Sequence, residues 1–334
     1  MTVRDGPGTI RERIIKHWGF GMPGRRRFNV VALATLLALL GAASAAAAQP
    51  TTGAGASTVT HKSSLADTLR GTGHYVALGD SFAAGPFIPM QRDDPLGCAR
   101  STRNYPALVA TGLGVGQYVD VTCSAATTVD MTIAQKIPLG SNAPQFDALR
   151  ADTNLVTVSI SGNDIGFGDM ALTCGRLSFT DPLGNPCQRQ ATAGGSDVYA
   201  ERIIAAAPRV AKVLQGVRER SPHATVLLVG YLRMLPQTGW CWPVVPVSRG
   251  DVPYLNGIEQ QLTKMLATQA KENGATFVDV YGASMGHDSC QPPAEKWVEG
   301  LVPTAPAFPW HPNENGMRAV ADLTLSTIRS LPAD

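Results

Sequence analysis

Three short motifs carry side chains that could together attack a carbonyl carbon. A Gly-Asp-Ser turn ends at Ser81 after an apolar run, a Gly-Asn-Asp turn holds Asn163 after another, and a Pro-Trp-His-Pro segment holds His311. A serine hydroxyl is a weak nucleophile unless a base takes its proton, and the anion formed by its attack needs hydrogen-bond donors. The three residue types therefore match a nucleophile, a donor and a base.

Each motif alone has a plainer interpretation, because both turn sequences are common and Ser81 could simply cap a helix. A catalytic role is favoured because Ser81 and Asn163 both follow apolar runs that are typical of buried strands. The carboxyl ends of parallel strands lie at one edge of a sheet, where open α/β sheets place their ligand sites. We therefore expect the two side chains to lie close together.

Six histidines are candidates for the base, and their positions separate them. His287 and His311 both follow the last predicted strand. His311 is favoured because Asn313 can cap the final helix and fix the adjoining backbone, whereas His287 is interpreted as a loop residue held by Cys290. The others lie N-terminal to the domain or before a strand, at the wrong edge of the sheet: His17, His61, His74 and His223.

A second serine, Ser284, fits the Gly-x-Ser-x-Gly sequence of a nucleophile elbow. That elbow needs a helix directly after the serine. Here a loop-like segment with two prolines follows, so Ser284 is the weaker candidate.

Alternating strand-like and helical stretches predict an α/β fold with a parallel sheet covered on both faces. We expect one domain over residues 73–334, preceded by a flexible leader over 49–72 that is rich in Thr, Ser, Gly and Ala. The segments 172–196 and 232–250 are predicted to be long loops. The predicted strands are 75–78, 118–122, 155–160, 225–229 and 276–280, and the predicted helices are 105–113, 198–220, 253–273 and 313–330.

Residues 1–48 are predicted to be a secretory signal peptide, so we expect an extracellular or cell-envelope protein. Arginines at 25–27 precede an apolar run over 30–40 that is short for a membrane span, and small residues end at Ala48, the expected cleavage site. An uncleaved anchor is the alternative; twin-arginine export and a start at Met22 are also open.

The net charge of the predicted mature chain is slightly negative. Without residues 1–48 the chain keeps 21 Lys and Arg against 24 Asp and Glu, which gives a formal charge of −3. This charge predicts no nucleic-acid partner.

All six cysteines lie in the predicted mature chain, and none form a Cys-x-x-Cys pair. An even, scattered set in an exported chain favours three disulfides over a metal site. The sequence leaves the connectivity open. The order of the cysteines suggests neighbouring pairs: Cys98 with Cys123, Cys174 with Cys187, and Cys241 with Cys290.

Together, the Gly-Asp-Ser block, a small residue after the second strand, the Gly-Asn-Asp block and the late His-Pro resemble the SGNH, or GDSL, hydrolases. The resemblance spans about residue 73 to the C-terminus and is greatest to the secreted actinobacterial lipases and esterases of that family. It implies a flavodoxin-like three-layer α/β/α fold, with Ser81 as nucleophile and His311 as base. It also implies an oxyanion hole made by the Ser81 N–H, the Ala125 N–H and the Asn163 side chain.

The sequence departs from the family pattern at two positions. Ala125 stands where the family usually has glycine, and it can still donate its N–H if the turn does not require a positive φ. Phe308 stands three residues before the histidine, where many members carry the aspartate that orients the imidazole. We therefore predict a Ser81–His311 dyad in which the Phe308 carbonyl accepts the Nδ1 proton, with the Asp279 carboxylate as the alternative acceptor.

The resulting expectation is a secreted, monomeric hydrolase of acyl or lipid esters that uses no metal or organic cofactor. Apolar residues near the predicted site could line an acyl pocket or form local core: Phe82, Phe87, Ile88, Met90, Trp240, Trp242, Phe308 and Trp310. The alternatives are a carbohydrate acetylesterase and a noncatalytic exported binding protein on the same fold.

Overall fold

The computed structural model describes residues 64–331, in which short apolar runs form strands and longer periodic segments form helices. The helices are α1 (Leu65–Leu69), α2 (Ser81–Ala84), α3 (Tyr105–Leu113), α4 (Phe167–Ser178), α5 (Pro186–Ala191), α6 (Val198–Arg220), α7 (Asp251–Glu272), α8 (Val280–Ala283) and α9 (Glu314–Ser330). The strands are β1 (His74–Gly79), β2 (Gln117–Asp120), β3 (Gln135–Ile137), β4 (Gly140–Asn142), β5 (Leu155–Ser159), β6 (Thr225–Val229) and β7 (Thr276–Val278).

Five strands form one parallel sheet in the order β2-β1-β5-β6-β7, and β3 and β4 form a separate antiparallel hairpin. Helices α1 and α3 pack with α9, and α6 packs with α7. The predicted α/β fold is confirmed, and the strand order is that of flavodoxin-like sheets. Because the chain leaves β1 toward β2 and returns on its other side at β5, the crevice between β1 and β5 is the place where such sheets bind ligands.

The two strands beside this crevice are buried along their whole length, because helices cover both faces of the sheet. They run in register, with Gly79 at the end of β1 opposite Ser159 at the end of β5. The turns that follow the two strands therefore start side by side.

The segment predicted as a loop over 172–196 contains most of α4 and all of α5. Its Pro and Gly content suggested irregular structure, but Met170, Cys174 and Ser178 recur at helical spacing and are buried. Pro186 opens α5, where proline is well tolerated. The segment 232–250 does lack helix and strand.

The domain begins earlier than predicted, because residues 64–72, assigned to the flexible leader, are part of it. Ser64 caps α1 in a reciprocal capping box with Asp67, and Leu69 is fully buried. A helix this short has too little periodicity to stand out in the sequence. The predicted signal peptide and residues 49–63 of the leader lie outside the described residues.

The six cysteines form three disulfides, which are the neighbouring pairs Cys98–Cys123, Cys174–Cys187 and Cys241–Cys290. The pair Cys174–Cys187 joins α4 to α5, and the other two pairs hold segments that follow strands of the sheet. Between residues 64 and 331, none of the helices is both long and apolar enough to cross a membrane.

Candidate active site

Ser81 is the first residue of α2 and lies directly after the end of β1. The turn requires Gly79, which has φ +154°, and a Cβ there would lie 2.6 Å from the Ser159 carbonyl oxygen. Asp80 caps α2 by accepting the Phe82 N–H at 2.9 Å. This tight turn places the Ser81 hydroxyl at the carboxyl edge of the sheet, where it is 9% exposed.

The structure brings His311 to Ser81, although they lie 230 residues apart, with 2.7 Å between Nε2 and Oγ. The other ring nitrogen, Nδ1, lies 2.8 Å from the Pro309 carbonyl oxygen. This corrects the expectation for Phe308, whose carbonyl accepts the His311 backbone N–H at 3.2 Å instead. Trp310, which lies between Pro309 and His311, adopts a left-handed conformation with φ +63°. The His311 ring bonds the Pro309 carbonyl across this turn.

The alternative acceptor, Asp279, caps α8 and accepts the Gly282 N–H at 3.0 Å. It is exposed, and among the described residues it makes no hydrogen bond with His311. A main-chain carbonyl rather than a carboxylate therefore selects the tautomer in which Nδ1 carries the proton and Nε2 can accept one.

The two competing candidates have structural roles. Ser284 is fully buried, and its hydroxyl accepts the Arg233 N–H at 2.9 Å and donates to the Tyr281 carbonyl at 3.0 Å. The His287 ring stacks on Trp297 with 3.9 Å between ring centroids. Neither side chain is among those that line the cavity at Ser81.

Asn163 follows β5 and lines the same cavity as Ser81. One of its amide hydrogens is donated to the Ala126 carbonyl at 2.8 Å, which leaves a second hydrogen on the same nitrogen. Among the described residues, the backbone N–H groups of Ser81 and Ala125 donate to no protein acceptor. All three groups predicted for the oxyanion hole thus have a donor hydrogen free.

Ala125 has φ +64°, so the turn after β2 does require the conformation that glycine adopts most easily. Alanine there costs about 1 to 2 kcal/mol of backbone strain. Neighbouring contacts hold the turn: the Ser124 N–H donates to the Cys98 carbonyl at 3.0 Å, and Gln135 donates to the Ser124 carbonyl at 2.8 Å. The expectation that the turn would not require a positive φ at Ala125 is therefore wrong.

Sequence reasoning missed Tyr231, which links the two turns of the site. Its hydroxyl donates to Asp80 Oδ2 at 2.5 Å and accepts the Gly162 N–H at 2.7 Å. Tyr231 follows β6 at the same sheet edge, which is the signal that could have identified it. Burial raises the pKa of Asp80 to about 7, and the Tyr231 hydrogen bond opposes that rise.

Asp164, the last residue of the Gly-Asn-Asp motif, joins the turn after β5 to the turn after β2. Its carboxylate accepts the Thr128 N–H at 3.0 Å and the Thr128 hydroxyl at 2.5 Å. This link fixes the spacing between the turns that carry Asn163 and Ala125.

The His311 loop is held from behind by a buried polar cluster. Asn313 donates to Glu299 at 2.8 Å, and Lys296 lies 2.8 Å from the same carboxylate. The Glu299 N–H donates to the His311 carbonyl at 3.0 Å. Every charge in this cluster is paired, as buried charges require.

The imidazole of His311 is enclosed by the rings of Phe82 and Phe308, at 5.0 and 5.2 Å between centroids. Burial lowers the pKa of His311 to about 4, and the Pro309 hydrogen bond opposes this. The ring is therefore neutral at pH 7, the state in which Nε2 accepts a proton.

A cavity, here named the catalytic cavity, opens beside these groups. Its wall is mostly apolar and includes Phe82, Ile165, Phe167, Ile258 and Leu262 together with Ser81, Asn163 and His311. Of the apolar residues proposed from sequence, Phe82 lines it. Trp240 and Trp242 instead stack on each other, and Ile88 is core.

The chain is similar to known proteins in both sequence and structure. Residues 77–319 match the model of the GDSL-like lipase/acylhydrolase family. Lipase 2 of Streptomyces coelicolor is 40% identical over 259 residues, covering 76% of this chain and 85% of that protein. Phospholipase A1 from Streptomyces albidoflavus superposes with a TM-score of 0.65 at 26% identity, covering 76% of this chain and 98% of that one. The extracellular lipase from Streptomyces rimosus gives 0.61 at 25% identity, covering 76% and 99%.

Proposed function

Because the chain belongs to the GDSL-like lipase/acylhydrolase family and is a carboxylic ester hydrolase, we propose that Ser81 is its nucleophile and His311 its general base. The observation that carries this proposal is the 2.7 Å separation of His311 Nε2 and Ser81 Oγ at the wall of an apolar cavity. A nucleophile within hydrogen-bond reach of an oriented base is the arrangement that acyl transfer requires.

The reaction proceeds in two steps through an acyl-enzyme. Ser81 Oγ attacks the ester carbonyl while His311 Nε2 takes its proton, and the tetrahedral intermediate collapses as Nε2 protonates the leaving alcohol. Water then attacks the acyl-Ser81 ester, again giving its proton to Nε2. The carboxylic acid leaves and Ser81 Oγ recovers the proton, so the enzyme returns to its starting state.

The developing oxyanion is held by the Ser81 N–H, the Ala125 N–H and the free amide hydrogen of Asn163. Each of the three groups has a hydrogen that the protein does not use. Donors fixed in advance stabilise the transition state without the cost of reorganising water.

The favoured substrates are lipid esters. The apolar catalytic cavity suits an acyl chain, and the structural relatives include a protein described as a phospholipase A1 and an extracellular lipase. Three disulfides fit an oxidising compartment. We infer that the protein is exported, with residues 1–48 as its signal peptide, and that it acts as a monomer.

A serine-directed phosphonate tests the proposal directly. We expect it to label the intact protein once and to leave Ser81→Ala unlabelled, as judged by intact mass. Ser284→Ala is the matched control and should label like the unaltered protein. Labelling that persists in Ser81→Ala would refute the assignment.

The acid limb of the pH profile tests the environment of His311. The neutral ring is the base, and burial lowers the pKa of His311 to about 4; we therefore expect kcat/KM to fall only below about pH 5, rather than near 6.5 as for an exposed histidine. The measurement is kcat/KM for a soluble short-chain ester from pH 3.5 to 8.

Asp80 lies next to Ser81 and also titrates in this range, because burial raises its pKa to about 7. Asp80→Asn, which keeps a helix-capping side chain, removes that contribution. An acid limb near pH 6.5 that persists in Asp80→Asn would contradict the predicted behaviour of His311.

A further inference from the structure

A second cavity adjoins the catalytic cavity and shares part of its wall. This distal cavity is smaller than the catalytic cavity and opens to solvent. The residues that line both cavities are Phe167, Met170, Met234 and Glu259. Apart from Glu259, the distal cavity is lined by apolar side chains and a disulfide cysteine: Phe167, Met170, Ala171, Cys174, Met234, Leu235, Val247, Leu255 and Trp310.

Glu259 is therefore the ionisable residue at the junction of the two cavities. It lies on α7, and its Oε2 accepts the Met234 N–H at 3.3 Å. Among the described residues, no donor reaches its Oε1 within hydrogen-bond distance. The side chain keeps some exposure because it faces the cavities.

A hydrocarbon chain that passes this junction must take water away from the carboxyl group. A neutral carboxyl loses little when this happens, whereas an ionised one loses its hydration and gains no donor in return. The charge state of Glu259 thus decides whether the two cavities are continuous for an apolar chain.

We propose, on the basis of the ester hydrolase function above, that the distal cavity holds the far end of long acyl chains and that Glu259 controls their entry. The neutral carboxyl admits the chain, and the carboxylate excludes it. Short acyl chains end in the part of the catalytic cavity next to Ser81 and do not pass Glu259.

The groups around Glu259 shift the pKa of its carboxyl in opposite directions. Burial raises the pKa of Glu259 to about 8; the Met234 N–H and the Arg233 guanidinium lower it, and Asp288 raises it. The Arg233 guanidinium stacks on Tyr281 at 4.0 Å instead of pairing with the carboxylate. Tyr231, Asp80 and His311 share the catalytic cavity with Glu259.

The test is the ratio of kcat/KM for a dodecanoyl to that for a butanoyl p-nitrophenyl ester, measured at pH 6.5 and 9.5. We expect the ratio to fall at least about tenfold at the higher pH in the unaltered protein and to stay constant within about threefold in Glu259→Gln. Asp80 and His311 affect both esters, so their titration cancels in the ratio.

Two further variants sharpen the result. Glu272→Gln removes an exposed carboxylate from the same helix and should keep the pH dependence of the unaltered protein. Ala171→Phe fills the distal cavity and should lower the ratio at pH 6.5 by at least about tenfold.

The outcomes separate this inference from the function on which it rests. Hydrolysis that depends on Ser81, with a ratio that does not change with pH in the unaltered protein, would overturn the role of Glu259 alone. A ratio in Ala171→Phe equal to that of the unaltered protein would overturn the distal cavity as a chain site. Hydrolysis of neither ester would overturn both the function and the inference.

Discussion

His311→Ala is expected to lower kcat/KM for any ester by at least about a thousandfold. Without the imidazole, Ser81 loses the hydrogen-bond partner that takes its proton, and the leaving alcohol loses the acid that protonates it. The residual rate comes from the donors and from substrate binding. Steady-state kinetics on a butanoyl ester, with the fold checked by circular dichroism, measures the effect.

Asp279→Asn is the matched control for the orientation of His311. The Pro309 carbonyl lies 2.8 Å from Nδ1, and Asp279 is occupied with the cap of α8. We therefore expect a loss of under about tenfold. A variant as inactive as His311→Ala would show that the carboxylate, not the carbonyl, supports the imidazole during the reaction.

Asn163→Ala is expected to lower kcat by about 100-fold to 1000-fold with little change in KM. Its amide acts on the oxyanion, which exists in the transition state but not in the bound ester, so the loss falls on the chemical step. The same amide nitrogen also donates to the Ala126 carbonyl at 2.8 Å, so the variant needs a control for movement of the turn.

Thr128→Val is that control. It removes the hydroxyl that bonds Asp164 at 2.5 Å and so loosens the two turns without touching the donor. We expect a loss of under about tenfold. Equal losses in Thr128→Val and Asn163→Ala would mean that the turn's position, rather than the amide, matters.

The sheet and the approach of Ser81 to Asn163 follow from simple regularities in the sequence. Strands marked by apolar runs end at one edge, and residues directly after them meet there. The group that accepts the Nδ1 proton of His311 could not be predicted in this way. The choice between the Phe308 and Pro309 carbonyls depends on the backbone rotation at Trp310, which has φ +63° without being glycine.

Other parts of the site depend on long-range contacts that no local pattern records. Tyr231 bonds Asp80 from 151 residues away. Glu259 lies beside the buried residues Ile258 and Leu262 of α7, and the space next to it exists only once α4 and α7 have packed. The periodicity of apolar residues predicts which face of a helix is buried. It does not predict the cavity that this face lines once the helices have packed.

The separation of Ser81 and His311 along the chain also affects when the two residues can come together during synthesis and folding. One lies at the end of the first sheet strand, and the other precedes α9, which packs on α3. Bringing together residues this far apart costs loop-closure entropy. A chain that has been synthesised only as far as β7 carries Ser81 but not yet His311, so the proposed dyad needs the last segment of the domain.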